Sequence, residues 1–349
     1  MRATSLTTES AEEIHTEDTV LRICRSPFRG SGGRSKNWNN GYIYITMNRN
    51  RHMVAKSIAM YVLMRCSLIF VITSSGQGID LEKQPWIHGS LNCNQNKDAG
   101  LQVLKYNETT YILRQNKCLH YEAPFLYLFI GREKALLVDT GAEAPDQSFP
   151  LYETVKKILT DKNGKVLPLV VVHSHGHSDH YSGDHQFRNK PDVRLVPPSK
   201  DAIIDFFKLK NWPNEEGHFD LGQRELTVIP IPGHDVMSIA IYDGQTQWLV
   251  TGDTVYPGRL YVRDVEAFCS SIARLKTFSN VHPVKYLMGT HVEMTKTKGV
   301  DYPIGTTYQP EEHVLPLTPN VLDELSTACE RIRNKFVREI YDDFIIVPR

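Results

Sequence analysis

Apolar and polar positions divide this chain into three stretches of different character. Residues 1–52 are rich in Ser, Thr, Arg, Asn and Gly and hold no sustained apolar period, so they read as disordered or as a gene-model extension. Residues 53–76 contain an apolar run from Ser57 to Ile72, basic on its near side and followed by Thr73-Ser74-Ser75-Gly76. Small residues behind such a run are what a secretory cleavage site requires. A signal peptide starting at Met53, Met60 or Met64 is expected, with an uncleaved membrane anchor or a buried helix as the alternatives. Arg65 in the middle of the run opposes a stable span, at about 2.5–3.5 kcal/mol for a charge at a helix centre.

From residue 77 to 349 the pattern becomes that of a folded domain. Short apolar runs predict strands near 101–106, 109–114, 125–130, 134–139, 168–172, 193–196, 224–231, 238–242, 247–251 and 284–288. Helical spacing places Leu151, Val155, Ile158 and Leu159 on one face behind Pro150. Ser199 opens a second helix with Ile203, Phe206 and Phe207, and Asp264 caps a third with Val265, Phe268, Ile272 and Leu275. Thr318-Pro319 opens a last helix with Leu322, Leu325, Cys329, Ile332 and Phe336 inward, and Phe344–Val347 offers a closing strand. No repeat of solenoid length is present.

Composition narrows the functional classes. At 349 residues and 41% hydrophobic, the chain can supply one two-sheet core. A formal net charge of +0 and the lack of a long Lys/Arg cluster argue against a nucleic-acid partner.

The chemistry is concentrated where apolar runs end. Leu169-Val170-Val171-Val172 leads into Ser174-His175-Gly176-His177-Ser178-Asp179-His180, which packs three imidazoles and one carboxylate into six positions. If the run is a strand, His175 and His177 leave it on the same side, Asp179 continues that side, and His180 faces a second position. Nitrogen and oxygen donors of this kind suit borderline metals. Three later runs each end in a ligand-type residue: Ile231-Pro232-Gly233 in His234, Val250-Thr251-Gly252 in Asp253, and Met288-Gly289-Thr290 in His291.

These motifs, together with Ala135-Leu136-Leu137-Val138-Asp139-Thr140-Gly141 upstream, resemble the five ordered motifs of the metallo-β-lactamase superfamily over roughly residues 100 to 295. The resemblance implies a four-layer αββα sandwich of two mixed β-sheets with the site at one edge. It implies His175, His177 and His234 on one metal, Asp179, His180 and His291 on another, and Asp253 bridging them. Two zinc ions are the expected cofactor, with iron or manganese as alternatives. Asp139 is implied as a partner behind the ligands and Asp179 as the residue orienting the nucleophile. The implied reaction is attack of a metal-bridging hydroxide on an ester, thioester, lactone or amide carbonyl of a small molecule. An aspartate at 253, where true β-lactamases of the superfamily carry cysteine, brings the chain closer to hydroxyacylglutathione hydrolases and lactonases. A mononuclear iron dioxygenase acting on sulfur compounds and a non-catalytic binding protein of the same fold are the alternative functions.

Further expectations follow from single segments. Tyr256 and Arg259 are candidate substrate contacts, with Tyr261 and Arg263 behind them, and Tyr302–Tyr308 is a candidate cover for the site. His173, His185, His282 and His313 receive no ligand role. Asn107-Glu108-Thr109 is a glycosylation sequon between two predicted strands. Cys93 and Cys118 are candidates for a disulfide, whereas Cys269 and Cys329 are expected as buried free thiols. Sequon and disulfide favour a secreted or extracytoplasmic protein, with a membrane contact only if residues 57–72 remain attached. Oligomeric state is not readable from the sequence.

Overall fold

The computed structural model describes residues 79–143 and 149–349, together with the backbone of two short strands near the start of the chain. Those strands, β1 (Glu13–Thr16) and β2 (Thr19–Arg22), pair antiparallel, a local exception to the expectation that residues 1–52 lack regular structure. The signal-peptide or anchor reading of residues 53–76 lies outside the described residues. Among the described residues, no helix is long and apolar enough to cross a membrane.

The unit Ser74–Arg349 contains two six-stranded sheets. The first runs in chain order through β3 (Leu101–Asn107), β4 (Thr110–Gln115), β5 (Phe125–Ile130), β6 (Ala135–Val138), β7 (Leu169–Val172) and β8 (Val193–Leu195). Its first four strands are antiparallel neighbours, and β6, β7 and β8 are parallel. The second sheet is built from β9 (Gly217–Asp220), β10 (Glu225–Pro230), β11 (Ile239–Asp243), β12 (Trp248–Gly252), β14 (Tyr286–Gly289) and β15 (Pro316–Leu317). A small third sheet joins β13 (Arg259–Val262), β17 (Ile345–Pro348) and β16 (Glu339–Ile340).

Strand periodicity explains the layers. Successive side chains point to opposite faces of a strand, and here both faces are buried, which gives continuous apolar runs rather than alternation. Phe125, Tyr127 and Phe129 join Leu136, Val138, Val170 and Val172 to meet Val228, Ile239, Ile241, Trp248 and Val250 of the facing sheet. The opposite parity of the first sheet, Leu126, Leu128, Leu137 and Val171, packs under α1 (Leu151–Leu159). On the second sheet Ile229, Ala240, Leu249 and Leu287 pack under α4 (Val265–Val281) and α5 (Val321–Ile332). The resulting order is helix, sheet, sheet, helix, an αββα sandwich. Two short helices, α2 (Ser178–Tyr181) and α3 (Lys200–Phe207), lie between α1 and α4 in the chain.

All ten early strands and four helices anticipated from periodicity are present, with shifted ends. Asp264 accepts from the Ala267 amide at 2.9 Å and Ser199 from the Ala202 amide at 3.3 Å, as N-caps do. Thr318-Pro319 forms a preliminary turn, and the last helix starts only at Val321. Strands β9, β13, β15 and β16 lacked a periodic signal, being two to four residues long.

One cysteine expectation is overturned. Cys269 and Cys329 are not free thiols; they form a disulfide between α4 and α5, with Cα atoms 5.5 Å apart. Burial on two separate helices suggested unpaired residues, and only the packing of the helices against each other brings them face to face. Cys93 and Cys118 are also joined, with Cα atoms 5.1 Å apart.

Candidate metal centre

The ligand-type residues sit where parallel strands end together. His173–His177 follow β7, His234 follows β10, Asp253 follows β12 and His291 follows β14. Because β10, β12 and β14 run the same way within their sheet, their carboxyl ends form one edge. The loop after β7 then turns into α2, which carries Asp179 and His180.

Two groups of side chains converge there: His175, His177, His234 and Asp253 in one, and Asp179, His180, His291 and Asp253 in the other. Within each group the candidate donor atoms lie within 4.8 Å of one another. His177 Nδ1 is 2.8 Å from His175 Nε2 and 3.0 Å from His234 Nε2. Asp253 Oδ2 lies 3.7 and 3.8 Å from the same His175 and His234 nitrogens. Its other oxygen lies 3.6 Å from His180 Nε2 and 3.4 Å from His291 Nε2, so one carboxylate faces both groups. Asp179 Oδ2 completes the second group at 3.1 Å from His180 Nε2 and 3.3 Å from His291 Nε2.

Three of the imidazoles are oriented from behind by acceptors on Nδ1. The Nδ1–H of His180 donates to Asp139 Oδ2 at 2.9 Å, that of His234 to the Tyr261 carbonyl at 2.8 Å, and that of His291 to the Glu122 carbonyl at 3.0 Å. These bonds turn Nε2 toward the centre. Asp139 is fully buried and held in the left-handed region at φ 68°, and it also accepts from the Ser174 amide at 2.7 Å and hydroxyl at 2.8 Å. Such a conformation is uncommon outside glycine and is kept here by these bonds. Thr290 Oγ1 donates to Asp253 Oδ1. Gly252, at φ 53°, lets the backbone pass Ser174, whose side chain an added Cβ would meet at 2.9 Å.

The two groups differ in charge. Burial, reinforced by neighbouring imidazoles, lowers His175 well below its usual value and His234 to about 4, and burial also lowers His177. Burial opposes charging of His180 and His291 as well, yet the adjoining carboxylates outweigh it: His180 is raised well above its usual value and His291 to about 9. Burial likewise opposes ionisation of Asp179 and Asp253, and the surrounding imidazoles hold both carboxyls well below the ordinary range.

The expected substrate contacts are placed otherwise. Tyr256 is buried, and its hydroxyl donates to the Arg259 carbonyl at 2.6 Å and to Glu293 at 3.0 Å. Arg259 is spent on Glu293, on Asp301 at 2.8 Å and on the Tyr302 carbonyl at 2.7 Å. Neither group is free to clamp a ligand, because acidic partners more than 30 residues downstream in the chain fold back onto them. Tyr261 is half-buried and Arg263 exposed. Ser174 and Thr290 were passed over in the sequence although both stand beside ligand-type residues. His173 is buried against the His180 carbonyl at 3.2 Å and Asp184 at 3.4 Å, a supporting rather than a converging position.

Comparison with known proteins agrees with this geometry. The sequence model of the Metallo-beta-lactamase superfamily matches residues 123–291. The acyl-coenzyme A thioesterase MBLAC2 of Homo sapiens is 28% identical over 168 residues, covering 39% of this chain and 59% of that protein. The hydroxyacylglutathione hydrolase of Bdellovibrio bacteriovorus is 26% identical over 182 residues, covering 49% of this chain and 64% of that protein. The chain thus spans about six-tenths of the length of these relatives. Among solved structures, a metallo-beta-lactamase from Pontibacter korlensis aligns with 66% of this chain and 99% of its own at 18% identity and a TM-score of 0.44. All seven converging side chains and Asp139 fall inside the segment that resembles the metallo-beta-lactamase superfamily.

Proposed function

We propose that this chain is a binuclear metal-dependent hydrolase, with zinc as the metal, acting on a small-molecule acyl compound, a thioester first. The observation that carries the reading is the convergence of two complete donor groups on the shared Asp253. With His175 Nε2 and His234 Nε2 both within 3.0 Å of His177 Nδ1, the three imidazoles have the donor chemistry of a nitrogen-rich divalent-metal site. His175, His177 and His234 would hold one ion and Asp179, His180 and His291 the other, with Asp253 between them. Bound there, such metals supply Lewis acidity and lower the pKa of water to about 7. Asp179 accepts the hydrogen bond of the attacking water and so fixes its direction. Asp139, the Tyr261 carbonyl and the Glu122 carbonyl keep the imidazoles from rotating away. Thioesters come first because the relatives above are named as a thioesterase and a hydroxyacylglutathione hydrolase.

The test is a panel of thioesters, esters, lactones and β-lactams, assayed with metal-loaded protein and with His175→Ala. Turnover by the loaded protein, abolished by chelation and by the substitution, supports the reading. Equal rates for both proteins reject it, and one iron per chain with oxygen uptake would replace it by the dioxygenase reading.

We also infer that the chain matures in an oxidising, secretory compartment. All four described cysteines are paired, as secreted proteins allow. Asn107 is exposed in the β3–β4 turn with its side chain accepting from the Thr109 amide at 2.9 Å. Secretion from eukaryotic cells should yield a protein whose mass falls on endoglycosidase treatment, and Asn107→Gln should lack that shift. A secreted wild-type chain without glycan would reject the assignment.

A further inference from the structure

A buried lysine stands behind the second donor group. Lys117 lies in the connection between β4 and β5 and is 3% exposed. Buried lysines are uncommon because taking an ammonium out of water is costly unless a partner repays it. Two of the neighbouring acids are engaged elsewhere: Glu312 grips Arg114 through bonds of 2.5 and 2.6 Å, and Glu293 holds Arg259. What the Lys117 ammonium does hold is a main-chain group, donating to the Tyr121 carbonyl at 3.1 Å.

That carbonyl belongs to a tight excursion whose next carbonyl, on Glu122, accepts from His291 Nδ1 at 3.0 Å. The excursion is pinned at its start by the Cys93–Cys118 disulfide and by Asn116, whose side chain accepts from the Cys118 amide at 2.8 Å. It closes at Ala123, in the left-handed region at φ 41°, and the Phe125 amide then donates to the Thr290 carbonyl at 2.7 Å. Between those two ends the Tyr121–Glu122 peptide is held twice, by Lys117 on the Tyr121 carbonyl and by His120 Nδ1, which accepts from the Glu122 amide at 3.3 Å. The root of its side chain is covered by Gly89, where an added Cβ would meet Lys117 Cβ at 2.9 Å and collide with the Thr307 carbonyl. Burial pushes it down to about 8, with Arg114 adding to that and Glu312, Glu293 and Glu122 opposing it.

We propose that Lys117 is a positioning residue for His291: it clamps the Tyr121 carbonyl and thereby aims the Glu122 carbonyl at the His291 ring. The clamp keeps the Nδ1–H bond made and holds Nε2 toward Asp179 and Asp253. The consequence for catalysis rests on the two-metal reading above, but the hydrogen bond belongs to the metal-free chain as well.

The experiment compares the wild type with Lys117→Met and Lys117→Arg. Proton NMR of metal-free protein follows exchange of the His291 Nδ1–H, and zinc titration follows the two binding steps. Exchange should quicken about tenfold or more in Lys117→Met, and the second step should weaken about 10–100-fold while the first holds, the size expected for losing a partner behind a ligand. Lys117→Arg, which keeps a cationic donor, should restore both. Unchanged exchange in Lys117→Met, or equal weakening of both steps, would overturn the proposal. Should Lys117→Met not fold, Lys117→Gln decides: a retained donor should keep the exchange slow, and fast exchange there contradicts the clamp. A wild type that takes up no second zinc would defeat the two-metal reading, while the exchange comparison would still judge Lys117.

Discussion

The two donor groups share Asp253 and little else. One consists of two buried imidazoles and the half-buried His177, all shifted toward the neutral form, whose nitrogens crowd to 2.8–3.0 Å. The other sets two imidazoles of raised proton affinity against the carboxylates of Asp179 and Asp253. A cation arriving at the first finds lone pairs already available, whereas at the second it must displace protons. On the two-metal reading, the same loop and strand ends would build one half that takes a cation with little proton loss and one half whose ion pairs a second cation would have to displace.

The largest expected effect comes from removing what the halves share. Asp253→Ala should cut hydrolysis by at least about 10³-fold, beyond the roughly 10–100-fold that partners behind a ligand contribute, and should weaken both binding steps. Retention of one step at full strength would show that the carboxylate serves a single half.

A second comparison concerns what supports each half. The helix α4 bonds to the loop that carries His234, through Ser271 to the Pro232 carbonyl at 2.7 Å and Arg274 to the Pro230 carbonyl at 2.8 Å. The Cys269–Cys329 disulfide ties that helix to α5 across a sequence separation of 60 residues. Replacing both cysteines by Ala should lower unfolding stability by about 4 kcal/mol on the loop-entropy relation, with two metals still bound. Urea denaturation that leaves the midpoint in place would deny the disulfide a supporting role.

Behind the second half stands Asp139, the acceptor for His180. Asp139→Asn should weaken the second binding step about 10–100-fold and the first less, since Asp139 reaches His175 only through the Ser174 hydroxyl, 3.1 Å from His175 Nδ1. Equal losses in a zinc titration would merge the two halves into one unit.

The smallest expected effect is on the metal-free stability profile. His291, raised to about 9, contributes stability that is full below about 6.5 and is lost as pH rises through about 9. His234, lowered to about 4, contributes stability present above about 6.5 and lost as pH falls through about 4. Urea midpoints across pH 4–10 should therefore lose their alkaline limb in His291→Gln and soften their acid limb in His234→Gln. Identical profiles for both variants would remove the charge distinction between the halves.

The legibility of these features in the sequence followed their locality. His175 to His180 announce themselves because six contiguous positions carry most of the donors, and the remaining three close apolar runs. The strands and helices were readable because most buried strands are apolar throughout and helices show one apolar stripe, while their stacking into four layers was implied only by the family resemblance. What depends on distant segments was not readable. Tyr256 and Arg259 looked like free polar groups until Glu293 and Asp301 closed on them, and Cys269 met Cys329 only through the packing of two helices. Lys117 gave no signal, since its use is to hold a main-chain carbonyl that no sequence pattern marks.

The most direct test of the central claim is calorimetric titration of metal-free protein with zinc at pH 7 in buffers of different ionisation enthalpy. The account predicts two ions per chain, the first bound with little proton release and the second with protons displaced from His180 and His291. A single ion per chain, or equal proton release in both steps, would contradict it.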